Sequence, residues 1–170
     1  MTPCTRAVAA LALLVLAGCD SSNPGRDLGL IEGVYAIEAL SFDPVTAGLP
    51  DADVAARLDL AGSTLEIFGD DETSLLRVRY LDATNSRRVD LQTTASRGRV
   101  TFEAVTDDDV RDLAALFLPR SFALTYDGDS PRVLSGTFEQ SGVNLEAFDE
   151  SIYQDQRSNR GTLTVRLRRP

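Results

Sequence analysis

From Gly33 to the C-terminus, apolar and polar residues alternate with a period of two, the signature of strands with one buried and one solvated face. Val100, Phe102 and Ala104 interleave with Arg99, Thr101 and Glu103, and Leu163, Val165 and Leu167 interleave with Thr164, Arg166 and Arg168. The same alternation runs through Leu76, Val78 and Tyr80, through Val89 and Leu91, through Phe122, Leu124 and Tyr126, and through Leu134, Gly136 and Phe138. Strands are also predicted over Gly33 to Phe42, Ser63 to Phe68 and Val143 to Phe148, about nine in all. Gly69-Asp70-Asp71-Glu72, Ser96-Arg97-Gly98, Asp127-Gly128-Asp129 and Ser141-Gly142 supply the short polar turns that antiparallel neighbours need. So many strands with one apolar face each must curl into a barrel or sandwich to bury it. The fold class is therefore all-β with one or two short helices.

One stretch breaks the period. Thr106-Asp107-Asp108-Asp109 combines a capping-box pattern with acids where a helix dipole favours them. Val110, Leu113, Ala114 and Phe117 then fall on one helical face, and Pro119 ends the element. Such a helix suits the mouth of a barrel or one face of a sheet. A second short helix is expected within Asp51 to Leu60, where Leu58 and Leu60 fit the start of a strand equally well; Glu150 to Arg160 reads as a polar loop.

The N-terminus has a different character. Arg6 precedes an unbroken apolar run from Ala7 to Ala17 that ends at the small residue Gly18, the layout of an export signal. The run is well short of the roughly 20 residues a membrane-crossing helix needs. Leu16-Ala17-Gly18-Cys19 resembles the lipobox of bacterial lipoproteins. That resemblance implies cleavage before Cys19 and attachment of diacylglycerol to its sulfur. Residues 1–18 are then a signal peptide, 19–32 a lipidated tether rich in Pro, Gly and small polar residues, and 33–170 the barrel domain. Two or three acyl chains, at about 0.8 kcal/mol for each buried methylene, anchor a protein without spanning the membrane. An Asp directly after the lipidated Cys resembles an inner-membrane retention signal in some sorting systems, so the inner and outer membranes both stand as addresses in a bacterial envelope.

Composition narrows the chemistry. The chain holds 17 basic residues, all Arg, against 26 acids, and has no His, Lys or Trp. Loss of Arg6 with the signal takes the net charge from −9 to −10, which repels nucleic acid and anionic headgroups. Without His, and with the sole mature thiol lipidated, the usual parts for zinc binding and for Ser-His or Cys-His catalysis are missing. Without Lys there is neither Schiff-base chemistry nor a Walker-type phosphate clamp. Cys4 leaves with the signal, so Cys19 has no intrachain disulfide partner.

The opening Gly33-Val34-Tyr35 strand, the closing Gly161-Thr162-Leu163-Thr164-Val165-Arg166-Leu167 strand and the meander between them resemble lipocalin-like (calycin-type) barrels. The resemblance implies an antiparallel meander of 8–9 strands, closed by pairing of the first and last, around a cavity that commonly takes small apolar ligands. Tyr35 stands where that family carries Trp in its Gly-x-Trp signature. The Arg packing against that side chain would be Arg166 or Arg168.

Three acidic clusters, Asp70-Asp71-Glu72, Asp107-Asp108-Asp109 and Asp127-Gly128-Asp129, offer hard oxygen ligands, but none fits the EF-hand loop and each is explained by a solvated turn or helix cap. No Gly-x-Ser-x-Gly elbow is present. The aromatics Tyr35, Phe42, Phe68, Tyr80, Phe102, Phe122, Tyr126 and Phe138 either line a ligand cavity or fill the barrel, and the narrow interior of eight strands favours filling. No catalytic, cofactor or metal residue is assigned, and Cys19 is the one site residue, for lipidation. The expectation is a non-enzymatic, membrane-tethered monomer without nucleic acid. It binds a small apolar ligand or an envelope partner, or else it works through its surface around a solid core.

Overall fold

A computed structural model describes residues 24–68, 73–79, 86–128 and 131–170. The proposed signal, Cys19, and the turn at residues 69–72 lie outside them. The chain runs α1 (Pro24–Ile31), β1 (Gly33–Pro44), β2 (Ala52–Asp53), α2 (Val54–Arg57), β3 (Thr64–Ile67), β4 (Thr73–Arg79), β5 (Ser86–Ser96), β6 (Arg99–Ala104), α3 (Asp107–Ala114), β7 (Ser121–Thr125), β8 (Val133–Val143), α4 (Leu145–Phe148) and β9 (Asn159–Arg168).

Eight strands form a closed antiparallel barrel in the order β1-β3-β4-β5-β6-β7-β8-β9, with β9 returning to β1; β2 is an extra strand on the edge of β1. At the closing seam Leu40 lies opposite Val165, Phe42 opposite Leu163 and Pro44 opposite Gly161. A register shift between Ile37 and Ala39 marks a bulge at Glu38, which receives hydrogen bonds from Arg166 (2.5 Å) and Arg168 (2.8 Å) on the outer surface. The β5–β6 hairpin turns through Arg97 (φ 52°) and Gly98 (φ 78°), the paired left-handed conformation that matches strand twist in a two-residue loop.

The interior faces are those the alternation predicts. Val100, Phe102, Ala104, Val89, Leu91, Leu163, Val165 and Leu167 are all buried. Phe68 departs from it, with 37% of its surface exposed just past the end of β3. The side chains of Val78 and Tyr80 lie outside the described residues.

Both ends of the barrel are covered. At the end where β1 starts, Leu28 and Ile31 of α1 enter the core beneath the β5–β6 and β7–β8 connections. At the opposite end sit α2, α3 and α4. The predicted capping box on α3 is present: Thr106 Oγ1 accepts from the Asp109 amide at 3.2 Å, and Asp109 Oδ2 accepts from the Thr106 amide at 2.9 Å.

Four elements differ from the sequence reading. Residues 24–31, expected to lie within the tether, are helical and contribute two core side chains. The turn expected at Ser141-Gly142 is not formed: both residues lie within β8, which passes through a bulge between Gln140 and Val143. The strand expected over Val143 to Phe148 does not form beyond Val143, the last residue of β8: Asn144 caps a turn of helix by accepting from the Ala147 amide (3.0 Å). The short helix expected within Asp51 to Leu60 does form as α2, capped by Asp53, which accepts from the Ala56 amide at 2.9 Å, and Leu58 and Leu60 follow it without starting a strand. Tyr153 is buried within the loop read as polar, and Asn159 and Arg160 already belong to β9. The described helices number four, all short.

Candidate functional site

Three regions bear on function: the barrel interior, a groove at one end, and the seam that closes the sheet. In the interior, the free volume bounded by Ile37, Leu40, Leu65, Leu76, Leu118, Phe122, Val165 and Leu167 is about 20 Å³. That accommodates about one water molecule, whereas small-molecule sites run from roughly 300 to 1,000 Å³. Aromatic rings account for much of the filling. Phe102 and Phe122 lie 5.2 Å apart by ring centroid, and Phe122 and Phe138 6.4 Å apart, across three neighbouring strands.

A second aromatic series closes the end opposite α1. Phe42 meets Phe117 edge-on at 5.7 Å, Phe117 meets Phe148 at 5.2 Å, and Phe148 meets Tyr153 at 6.4 Å. Phe117 is not on α3 as its spacing suggested. The helix ends at Ala114, and Phe117 follows in the left-handed conformation (φ 61°), with Leu118 N donating to Leu113 O (3.0 Å) as in a Schellman termination. A bulky residue there is strained, and its ring's place between Phe42 and Phe148 holds it.

Outside this plug lies a groove of about 490 Å³ lined by Leu58, Phe117, Leu118, Val143, Ala147 and Phe148, with Gln140, Ser141 and Asn144 as its polar members. It sits where β7 and β8 part. Their ladder registers only Thr125 opposite Ser135, and β8 then runs on past the Phe117–Pro119 segment, bound there through Gln140 Nε2 to Phe117 O at 3.0 Å. This stretch of β8 is paired by β9 on one side only.

At the seam, the expected Arg is neither Arg166 nor Arg168. Both project outward to Glu38, as the alternation within β9 requires. Arg169, one residue past the strand, packs instead. Its guanidinium lies 5.0 Å from the Tyr35 ring centroid, donates from Nη2 to Tyr35 Oη (2.8 Å) and to the Glu32 carbonyl, and covers Gly33, where a Cβ would lie 3.1 Å from its Nε. Tyr35 Oη in turn donates to the Ile31 carbonyl (2.9 Å), tying α1 to the seam. Burial pushes the Tyr35 hydroxyl pKa up, against the opposing charge and hydrogen bond of Arg169.

The described members of the acidic clusters, Asp107 to Asp109 and Asp127, lie at opposite ends of the barrel. Asp109 is committed to the α3 cap and also accepts from the Asp90 amide at 3.0 Å; burial raises its pKa, but the hydrogen bonds from Thr106 and Asp90 outweigh this and hold it below the usual carboxylate range. Asp108 pairs with Arg111, and Asp127 is an exposed turn residue. Asp70-Asp71-Glu72 and Asp129 lie outside the described residues, among which no group of three or more His, Cys, Asp or Glu side chains is placed to hold a metal. No helix among them is long and apolar enough to cross a membrane.

Sequence reasoning missed Arg169 and the Phe117–Phe148–Tyr153 series. The only cues to the latter were Pro119, which bounds α3, and Asn144, a capping residue before the Leu145/Phe148 pair. No protein-family model, curated protein or solved structure matches the chain.

Proposed function

We propose that this chain is a bacterial envelope lipoprotein, anchored through acyl chains on Cys19, whose lipocalin-like barrel is a solid, non-enzymatic scaffold acting through its outer surface. The observation that carries this reading is the void among Ile37, Leu40, Leu65, Leu76, Phe122 and Leu167 of the described barrel interior, which is about 20 Å³, where a ligand site needs more than ten times as much. The lipobox-like Leu16-Ala17-Gly18-Cys19 supports the anchor. The groove beside the open stretch of β8 is the face offered to an envelope partner, because it pairs apolar side chains with a strand edge able to receive extended backbone.

Titration with an environment-sensitive apolar dye tests the reading. The wild-type domain is expected to give no saturable enhancement at micromolar protein. Saturable one-to-one binding that survives Phe148→Asp in the groove would show an occupied interior and overturn it. A second reading, a small apolar ligand held in the groove, is favoured by the groove's volume of about 490 Å³ and predicts binding that Phe148→Asp abolishes.

A further inference from the structure

We infer that the barrel stands on its own membrane with the α1-covered end against the lipid surface and the groove end facing away. The inference rests on the lipid-anchor reading and adds an orientation to it. Cys19 precedes Pro24, the first residue of α1, by five positions, so the chain between them reaches at most about 17 Å even fully extended. Helix α1 is fixed to the barrel: Leu28 and Ile31 are buried, and the Ile31 carbonyl accepts from Tyr35 Oη at the start of β1. The same end gathers the Arg97-Gly98 turn, Pro131 and the C-terminal Arg169, linked by Tyr126 N to Gly98 O at 2.8 Å and Arg169 N to Arg132 O at 2.8 Å. The groove lies at the far end, with α4 and the Phe117 turn. Ten-residue β9 joins the two ends, and at a strand rise of about 3.3 Å and a tilt of about 40° it separates them by about 25 Å. A tether shorter than that separation, attached at one end, holds that end at the headgroups.

The side chains brought to the lipid are mixed, with exposed Arg97, Arg99 and Arg132 beside Glu32, Asp127 and the half-exposed Phe68. The orientation is therefore ascribed to tether length and not to adhesion of this face.

The test uses the full chain, extracted with its lipid and reconstituted in phosphatidylcholine vesicles carrying a headgroup acceptor dye. A donor is placed at Asp127→Cys on the α1 end or at Glu150→Cys beyond α4, both exposed positions, Cys19 being blocked by its own lipid. High energy transfer from position 127 with transfer near baseline from position 150 is the expected result. Equal transfer, or more from position 150, overturns the orientation while leaving the anchor standing. An intact mass without acyl groups overturns both. Inserting a long Gly-Ser segment after Asn23 should shrink the difference between the two positions; a difference that persists would show that the face itself adheres and that tether length is not the cause.

Discussion

Replacing Leu65 with alanine removes three carbon atoms from the buried interior of the barrel. Leu65 lies on β3 opposite Tyr35 and Leu76, is 1% exposed, and lines the 20 Å³ void. Loss of transfer free energy at about 0.8 kcal/mol for each buried carbon contributes about 2.4 kcal/mol. A residual hole of roughly 60 Å³ adds about 1.4 kcal/mol at 24 cal/mol per Å³ if the sheet cannot collapse around it. The expected loss is therefore about 3–4 kcal/mol, or a fall in Tm of about 6–16 °C for a domain of this size. Urea denaturation followed by circular dichroism reads it as a lowered midpoint with an unchanged m value. Val34→Ala, on the outer face with 41% exposure, is the control and changes stability by no more than about 0.5 kcal/mol. A loss below about 1 kcal/mol at Leu65 would refute the reasoning, because a side chain already lining a hydrated ligand space gives up little when shortened.

Arg169→Ala removes a cation over the Tyr35 ring and donors to Tyr35 and Glu32, and should cost about 2 kcal/mol in urea denaturation, whereas Arg166→Ala, which breaks an ion pair with Glu38 on the outer face, should leave the midpoint nearly unmoved. Gly161→Ala places a Cβ 2.5 Å from the Phe42 ring and against the Asp43 carbonyl at the closing seam, so a loss of about 3 kcal/mol or more, or failure to fold, is expected; wild-type stability would remove the seam from the account. Asp109→Asn should cost about 1–2 kcal/mol at pH 7 through the α3 cap and the Asp90 amide. Because the folded-state pKa of Asp109 is depressed, that contribution is present above the unfolded value near 4 and is lost as pH falls through the folded one. Wild type and variant should therefore converge as the solution is made more acid, and a gap that does not narrow as pH falls below the unfolded value would contradict the assignment.

Much of the barrel was legible because its strands keep strict parity: one buried face is enough to set register and to require closure. The α3 capping box and the Arg97-Gly98 turn were legible for a similar reason, since the residues that shape them are adjacent in the chain. Misreadings arose where two periods fit the same letters. Val143, Leu145 and Phe148 look like half a strand until Asn144 is taken as a cap, and Pro24 ahead of Leu28 and Ile31 is a helix start that its polar neighbours disguise. Ser141-Gly142 has the composition of a turn, although a bulge uses the same residues. Arg169 escaped because it lies one residue beyond β9, where parity no longer says which way a side chain points. Whether the interior is open or filled depends on how rings from three strands interlock, a property of volumes that one-dimensional pattern does not carry.

Native mass spectrometry of the protein extracted from its own membrane bears most directly on the proposal of an anchored, solid barrel. One species is expected, the acylated chain beginning at Cys19, with no small molecule released on activation. A non-acylated chain, or a complex that sheds an apolar ligand as the collision energy rises, would contradict it.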